Sequence, residues 1–161
     1  MVDRFERFSL ALSELFRYWH RIASDELEPY GLKGTHATYL TAMYRHPQGL
    51  SATQLCEECG KDKADVSRML SILEKKGFIR REGASYRALV TLTAEGRALA
   101  EHVRERAAVA VEAASRGLSD EHRAIFYHAL ELITANLQTI CRDGLPAGTP
   151  RHHQPDKEST Q

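Results

Sequence analysis

Residues Gly60–Gly77, GKDKADVSRMLSILEKKG, constrain the fold more than any other stretch, because both ends of one helix are written into them. Asp62 is spaced to accept a hydrogen bond from the backbone N–H of Asp65, and acidic side chains suit the positive end of a helix dipole. At the other end Lys75 and Lys76 complement the negative pole, and Gly77 can take the left-handed stop conformation. Val66, Met69, Leu70 and Leu73 recur at spacings of three and four, which predicts a buried stripe. The opposite face carries Lys63, Ala64, Ser67, Arg68, Ser71 and Lys75. Short side chains flanked by long cations suit a helix that enters the major groove of DNA. Small residues let the backbone approach, hydroxyls and Arg reach base edges, and Lys meets phosphate. An ordinary solvated face has the same composition, so the neighbouring segments have to decide.

Charge distribution favours the first reading. The 161 residues carry no formal net charge, yet residues 61–91 hold eight Lys/Arg against four Asp/Glu. That local excess lies where the candidate reading helix lies, as expected of an electrostatic footprint for nucleic acid. No apolar run approaches the roughly 20 residues that span a bilayer, and MVDRFERF has no apolar signal-peptide core. A cytoplasmic protein without membrane partners is expected. Three cysteines, an odd number, argue against a disulfide framework.

Around the reading helix the chain spells out further elements. Residues 4–27 repeat Phe5, Phe8, Leu12, Leu15, Phe16, Trp19, Ile22, Ala23 and Leu27 at the helical period. Apolar residues this large near a terminus, where chains usually fray, point to burial against a second copy of the chain. Pro29 and Gly31 end that helix. A second helix is expected over 35–45, capped by Thr35, with Ala37, Leu40, Thr41 and Tyr44 buried. Ser51 and Gln54 form a capping box for a short third helix, whose Leu55, Cys56 and Cys59 share a face. Short helix, Gly60 turn and reading helix make a helix-turn-helix. After Gly77 the period changes to two: residues 78–82 and 86–92 read as strands of a hairpin. A lone hairpin is marginal in water, so it must lean on the helices. The predicted fold is mainly α with a small β-hairpin, a winged helix-turn-helix. An alanine-rich helix to about residue 116 and a Ser119-capped helix to about 142 follow, the last covering more than one apolar stripe and expected to be buried on two sides.

Leu50-Ser51 with Gln54-Leu55, Val66-Ser67-Arg68 with the run Leu73 to Ile79, and Leu92-Thr93-Ala94-Glu95-Gly96, in this order and spacing, resemble the MarR (multiple antibiotic resistance regulator) family of bacterial transcription factors. The resemblance spans about residues 5–142. It implies a homodimer built by residues 1–34 and 94–142 and a DNA-binding winged helix over 35–93; the polar, Pro- and Gly-containing residues 143–161 lie beyond it and are expected from composition to be a disordered tail. The resemblance also implies binding to a pseudo-palindromic double-stranded DNA operator, repression of transcription, and release by a small-molecule effector. On this reading Ser67 and Arg68 reach bases, Lys61, Lys63 and Lys75 reach phosphates, and Arg80, Arg81 and Arg87 serve the wing. The Asp-x-Arg usual near the family's wing tip is absent, and Gly83-Ala84-Ser85-Tyr86-Arg87 stands there. Where relatives hold aromatic or anionic effectors, Trp19, His20, His36, Tyr39 and Met43 are the candidate lining.

Cys56-x-x-Cys59 invites a metal or thiol-redox reading, but zinc needs two more ligands and no second Cys pair exists. Both cysteines fall where the helical pattern wants core residues, so packing is the expected role. No G-x-S-x-G, phosphate-cradling glycine loop or perturbed acidic pair is present, so neither catalysis nor a cofactor or metal is expected. The rival to a DNA-binding regulator is a ligand- or protein-binding helical dimer on the same scaffold.

Overall fold

The computed structural model describes residues 2–83 and 88–146. Arg87, the wing tip and the tail from residue 147 therefore lie outside the described residues. The chain divides into two compact units, the first running to Ala114 and the second beginning at Ser115.

The first unit holds α1 (Val2–Leu27), a single 3-10 turn (Glu28–Tyr30), α2 (Thr35–Arg45), α3 (Ala52–Cys59), α4 (Lys63–Lys75), β1 (Ile79–Glu82), β2 (Leu89–Leu92) and α5 (Ala94–Ala114). Its core is made by Leu27, Leu40, Met43, Leu55, Val66, Leu70, Leu73, Ile79, Val90 and Leu99, all nearly or fully buried. Cys56 and Cys59 pack half-buried against that core and form no disulfide. Burial pushes the Cys59 thiol up to about 11, so at neutral pH it stays a protonated, weakly nucleophilic group.

The strands pair antiparallel with Ile79 opposite Leu92 and Glu82 opposite Leu89. Phe78 and Ala88 fall outside the strands, the expected strand residues Tyr86 and Arg87 lie outside the described residues, and a third segment steadies the pair. Leu50, in the turn between α2 and α3, exchanges backbone hydrogen bonds with Val90 at 3.1 and 2.8 Å. This bridge is how the hairpin leans on the helices.

Two expectations for α2 need correction. Its N-cap is Gly34, not Thr35, and no side chain caps it from within the helix. Ser24 of α1 accepts the Gly34 N–H instead, at 3.0 Å. A Cβ at Gly34 would crowd both that hydroxyl and the His20 carbonyl, so α1 and α2 meet here at glycine-only distance. The buried stripe is also turned: His36, Tyr39, Leu40, Ala42 and Met43 are buried, whereas Ala37, Thr41 and Tyr44 are only partly covered. Tyr39 and His36 face inward with one polar contact each, the Tyr39 hydroxyl to Asp65 of α4 and the His36 Nδ1 to the backbone of Lys33.

The second unit is α6 (Asp120–Asp143), entered through Ser119, whose hydroxyl accepts the His122 N–H at 3.2 Å. Contrary to the two-sided burial expected from its sequence, α6 buries no residue within the single chain. Ile125, Phe126, Leu132 and Leu137 stand 44–58 % exposed, and on α1 so do Leu15 and Phe16, at 59 and 64 %. Exposed apolar side chains at helical spacing form the kind of surface suited to association.

Candidate nucleic-acid interface

Chemistry at both ends defines α4. The Asp62 carboxylate accepts the Asp65 N–H at 2.8 Å, the reach proposed from spacing alone. At the exit Gly77 takes φ 78°, and the Phe78 N–H closes on the Leu73 carbonyl at 3.0 Å. Ser51 and Gln54 complete the capping box of α3, and Gly60, at φ 60°, turns the chain into α4. The turn holds because Lys61 N–H reaches back to the Cys56 carbonyl at 3.0 Å.

With Val66, Leu70 and Leu73 buried, the opposite face is committed to solvent. Lys61, Lys63, Ala64, Ser67, Arg68, Ser71 and Lys75 are all exposed. Ser67 and Ala64 leave the backbone approachable, while cations flank them at both ends. Arg68 keeps 66 % of its side chain exposed and bonds Asp65 at 3.0 Å. In the hairpin Arg80 pairs with Glu82 at 2.7 Å and Arg81 with Glu74 of α4 at 3.0 Å. Exposed pairs of this kind contribute little to stability and can exchange a carboxylate for a phosphate. The structure thus brings seven of the eight candidate DNA-facing residues to exposed positions on α4, its entry turn and β1; the eighth, Arg87, lies outside the described residues.

The foot of α5 locks this head. The Thr93 hydroxyl donates to the Gly77 carbonyl at 2.7 Å and accepts the Gly96 N–H at 3.0 Å, so one side chain stops α4 and starts α5. Gly96 lies so close to the Phe78 carbonyl that a Cβ would overlap it.

Behind the head, α1, α2 and α5 enclose a cavity of about 450 Å³. Trp19, Ile22, Ala23 and Glu26 form one wall, Ala37, Thr38, Thr41 and Arg45 the second, and Val103, Arg104, Arg106 and Ala107 the third. Arg106 bonds Glu26 at 2.7 Å and His102 meets the same carboxylate at 3.1 Å, tying α1 to α5. The Arg106 hydrogen bond holds the Glu26 carboxyl below its usual range, with His102 adding to it against partial desolvation. The Arg104 guanidinium lies 4.4 Å from the centre of the Tyr44 ring.

Of the five residues expected around a ligand, only Trp19 lines this cavity. His20 instead sets its ring edge against Phe16, at 4.2 Å between centroids. His36, Tyr39 and Met43 are 1–2 % exposed in the core, on the side of α2 turned away from the cavity. The turned stripe of α2 is the reason. Sequence reasoning missed Glu26, Arg45, Arg104 and Arg106, whose charges mark no position until three helices converge. It also missed the Tyr39 hydroxyl, which donates to Asp65 of α4 at 2.8 Å. No group of three His, Cys, Asp or Glu able to hold a metal occurs among the described residues, and no described helix is long and apolar enough to cross a membrane.

Residues 30–88 match the family model described as MarR family. Among solved structures, a MarR transcriptional regulator from Methanosarcina mazei Go1 is 26 % identical, with 84 % of this chain and 92 % of that chain covered and a TM-score of 0.76. A MarR protein from Peptoclostridium difficile is 20 % identical, covering 82 % and 88 %, with a TM-score of 0.76. The MepR–DNA complex of Staphylococcus aureus is 22 % identical, covering 81 % and 98 %, with a TM-score of 0.74.

Proposed function

We propose that this chain, a member of the MarR family, is a sequence-specific double-stranded-DNA-binding transcription regulator that acts as a homodimer on a pseudo-palindromic operator. The observation that carries the reading is the outward face of α4, with Ser67 and Arg68 exposed between flanking lysines on a helix pinned at both ends. Ser67 and Arg68 read base edges in the major groove; Lys61, Lys63 and Lys75 meet phosphates; Arg80, Arg81 and Arg87 grip the flanking backbone or minor groove. Support also comes from the protein–DNA complex among the structures of the same fold. Two-fold symmetry sets half-sites about 10 bp apart.

A dimer seated on a promoter blocks polymerase without further contacts, so the expected sign is repression in the cytoplasm. The cavity between α1, α2 and α5 is the place for an effector. Its aromatic wall at Trp19 and its Arg45, Arg104 and Arg106 against a single Glu26 suit a small aromatic anion, whose binding releases DNA.

The test is a mobility-shift assay with DNA from upstream of the chain's own operon at two salt concentrations. Sequence-specific retention is expected, weakened by added salt in proportion to the phosphates neutralised. Arg68→Ala should cost roughly 1–3 kcal/mol of discrimination at one base position per half-site. Retention of no duplex would overturn the proposal in favour of a ligand- or protein-binding dimer, a reading that the internally paired Arg80 and Arg81 support.

A further inference from the structure

Packing does little to hold Arg68 in place. Two-thirds of its side chain is exposed, and its Nη2 donates to Asp65 Oδ1 at 3.0 Å, one turn earlier on α4. An exposed pair at this spacing ordinarily carries little meaning, because both side chains are long-lived in many rotamers. Here the acidic member has lost that freedom. Asp65 Oδ2 accepts the Tyr39 hydroxyl at 2.8 Å, and the Asp65 backbone N–H is held by Asp62 at 2.8 Å. Tyr39 in turn is 1 % exposed, so its ring is fixed by the core and its hydroxyl can aim in one direction only.

We infer that Tyr39 and Asp65 are positioning residues for the DNA-reading arginine: a hydroxyl anchored in the core fixes a carboxylate, and the carboxylate fixes one edge of the Arg68 guanidinium. The inference rests on the reading of α4 given above. An arginine enters a bidentate contact with a base at lower cost when its planar fork is already oriented, since less rotamer entropy is then lost on binding. The guanidinium has five N–H donors, and the donor given to Asp65 leaves the others for a base. Asp65 is itself unsuited to reading DNA, because both its oxygens are engaged and its charge repels phosphate. The Tyr39 hydrogen bond, with Arg68 adding to it against partial desolvation, holds the Asp65 carboxyl below its ordinary range, so the clamp stays ionised at neutral pH.

A double-mutant cycle tests this, using the full chain and a duplex selected by it from a random pool, with an unrelated duplex of equal length as control. Tyr39→Phe removes the hydroxyl and keeps the ring. It is expected to weaken binding to the selected duplex about three- to tenfold, the size of one oriented hydrogen bond, and to leave the control unchanged. In an Arg68→Ala background the same substitution should cost nothing further. Asp65→Asn, at a side chain only 28 % exposed but reached by solvent, approaches the clamp from its other end. It should lower discrimination while raising affinity for the control duplex, because one anionic charge is gone. Additive losses in the two backgrounds, or equal losses on both duplexes, would overturn the positioning role while leaving the reading helix intact. If Arg68→Ala leaves discrimination untouched, the assignment of α4 falls first, and this inference with it.

Discussion

At His36 the chain keeps a titratable ring in its core. The ring is 2 % exposed; its Nδ1 lies 3.0 Å from both the N–H and the carbonyl of Lys33, donating to the carbonyl when protonated there, and its Nε2 has no hydrogen-bond partner among the described residues. Burial, opposed by the backbone contact at Lys33, holds its pKa below the ordinary 6.5. The folded chain therefore binds fewer protons here than the unfolded one at acid pH. The associated stability is present above pH 6.5 and is lost as pH falls below that value. Thermal melting from pH 8 down to about pH 5 should show this loss, and His36→Gln should flatten the slope over that window. A variant with the same acid slope as the parent would refute the assignment. The sequence leaves two places open for this ring, pocket lining or a satisfied core or interface position, the second being the more frequent for such a histidine. What decides the matter is the backbone of Lys33, which offers the inward-facing ring a polar contact.

Individual elements were legible where local hydrogen bonds or backbone angles set their limits, the expected Thr35 cap of α2 being the exception. Asp62, Ser51, Ser119 and Gly77 mark helix ends through hydrogen bonds or backbone angles local to a few residues, and each acts as expected. The rotation of α2 was not legible, because it depends on Ser24, ten residues from Gly34, and on Asp65, twenty-six residues from Tyr39. The bridge from Leu50 to Val90 is hidden for the same reason. Gly96 belongs to this scale as well. Its place in the first turn of α5 looks unremarkable in sequence, yet a methyl group there would run into the Phe78 carbonyl. Backbone cannot yield as a flexible side chain can. Gly96→Ala should destabilise by about 1–3 kcal/mol, the range for overpacking, read as a lowered melting temperature. Gly60→Ala, at positive φ with open space around it, should cost about 1–2 kcal/mol through backbone strain alone. Equal losses at the two positions would remove the close approach as a cause.

The whole molecule leaves part of its apolar surface unused. The sequence of α6 predicts burial that the single chain does not provide, and the period of α1 continues through side chains that remain exposed. A sequence announces that a surface will be covered without saying by which copy. If the proposed second copy covers both helices, Leu132→Glu on α6 should move the sedimenting species from two chains to one. Affinity for a two-half-site duplex should fall with it, since each head would then bind alone. A variant that stays dimeric, or a parent that sediments as a single chain, would count against this arrangement. The contact of Gly96 with Phe78 sets a mechanical condition on any such pair. With the backbone this close at its base and Thr93 bonded to both Gly77 and Gly96, α5 and the wing root are expected to turn together as one lever. Any change in the spread of the two heads must therefore be made by flexure higher along the α5 shaft, where the walls of the cavity begin.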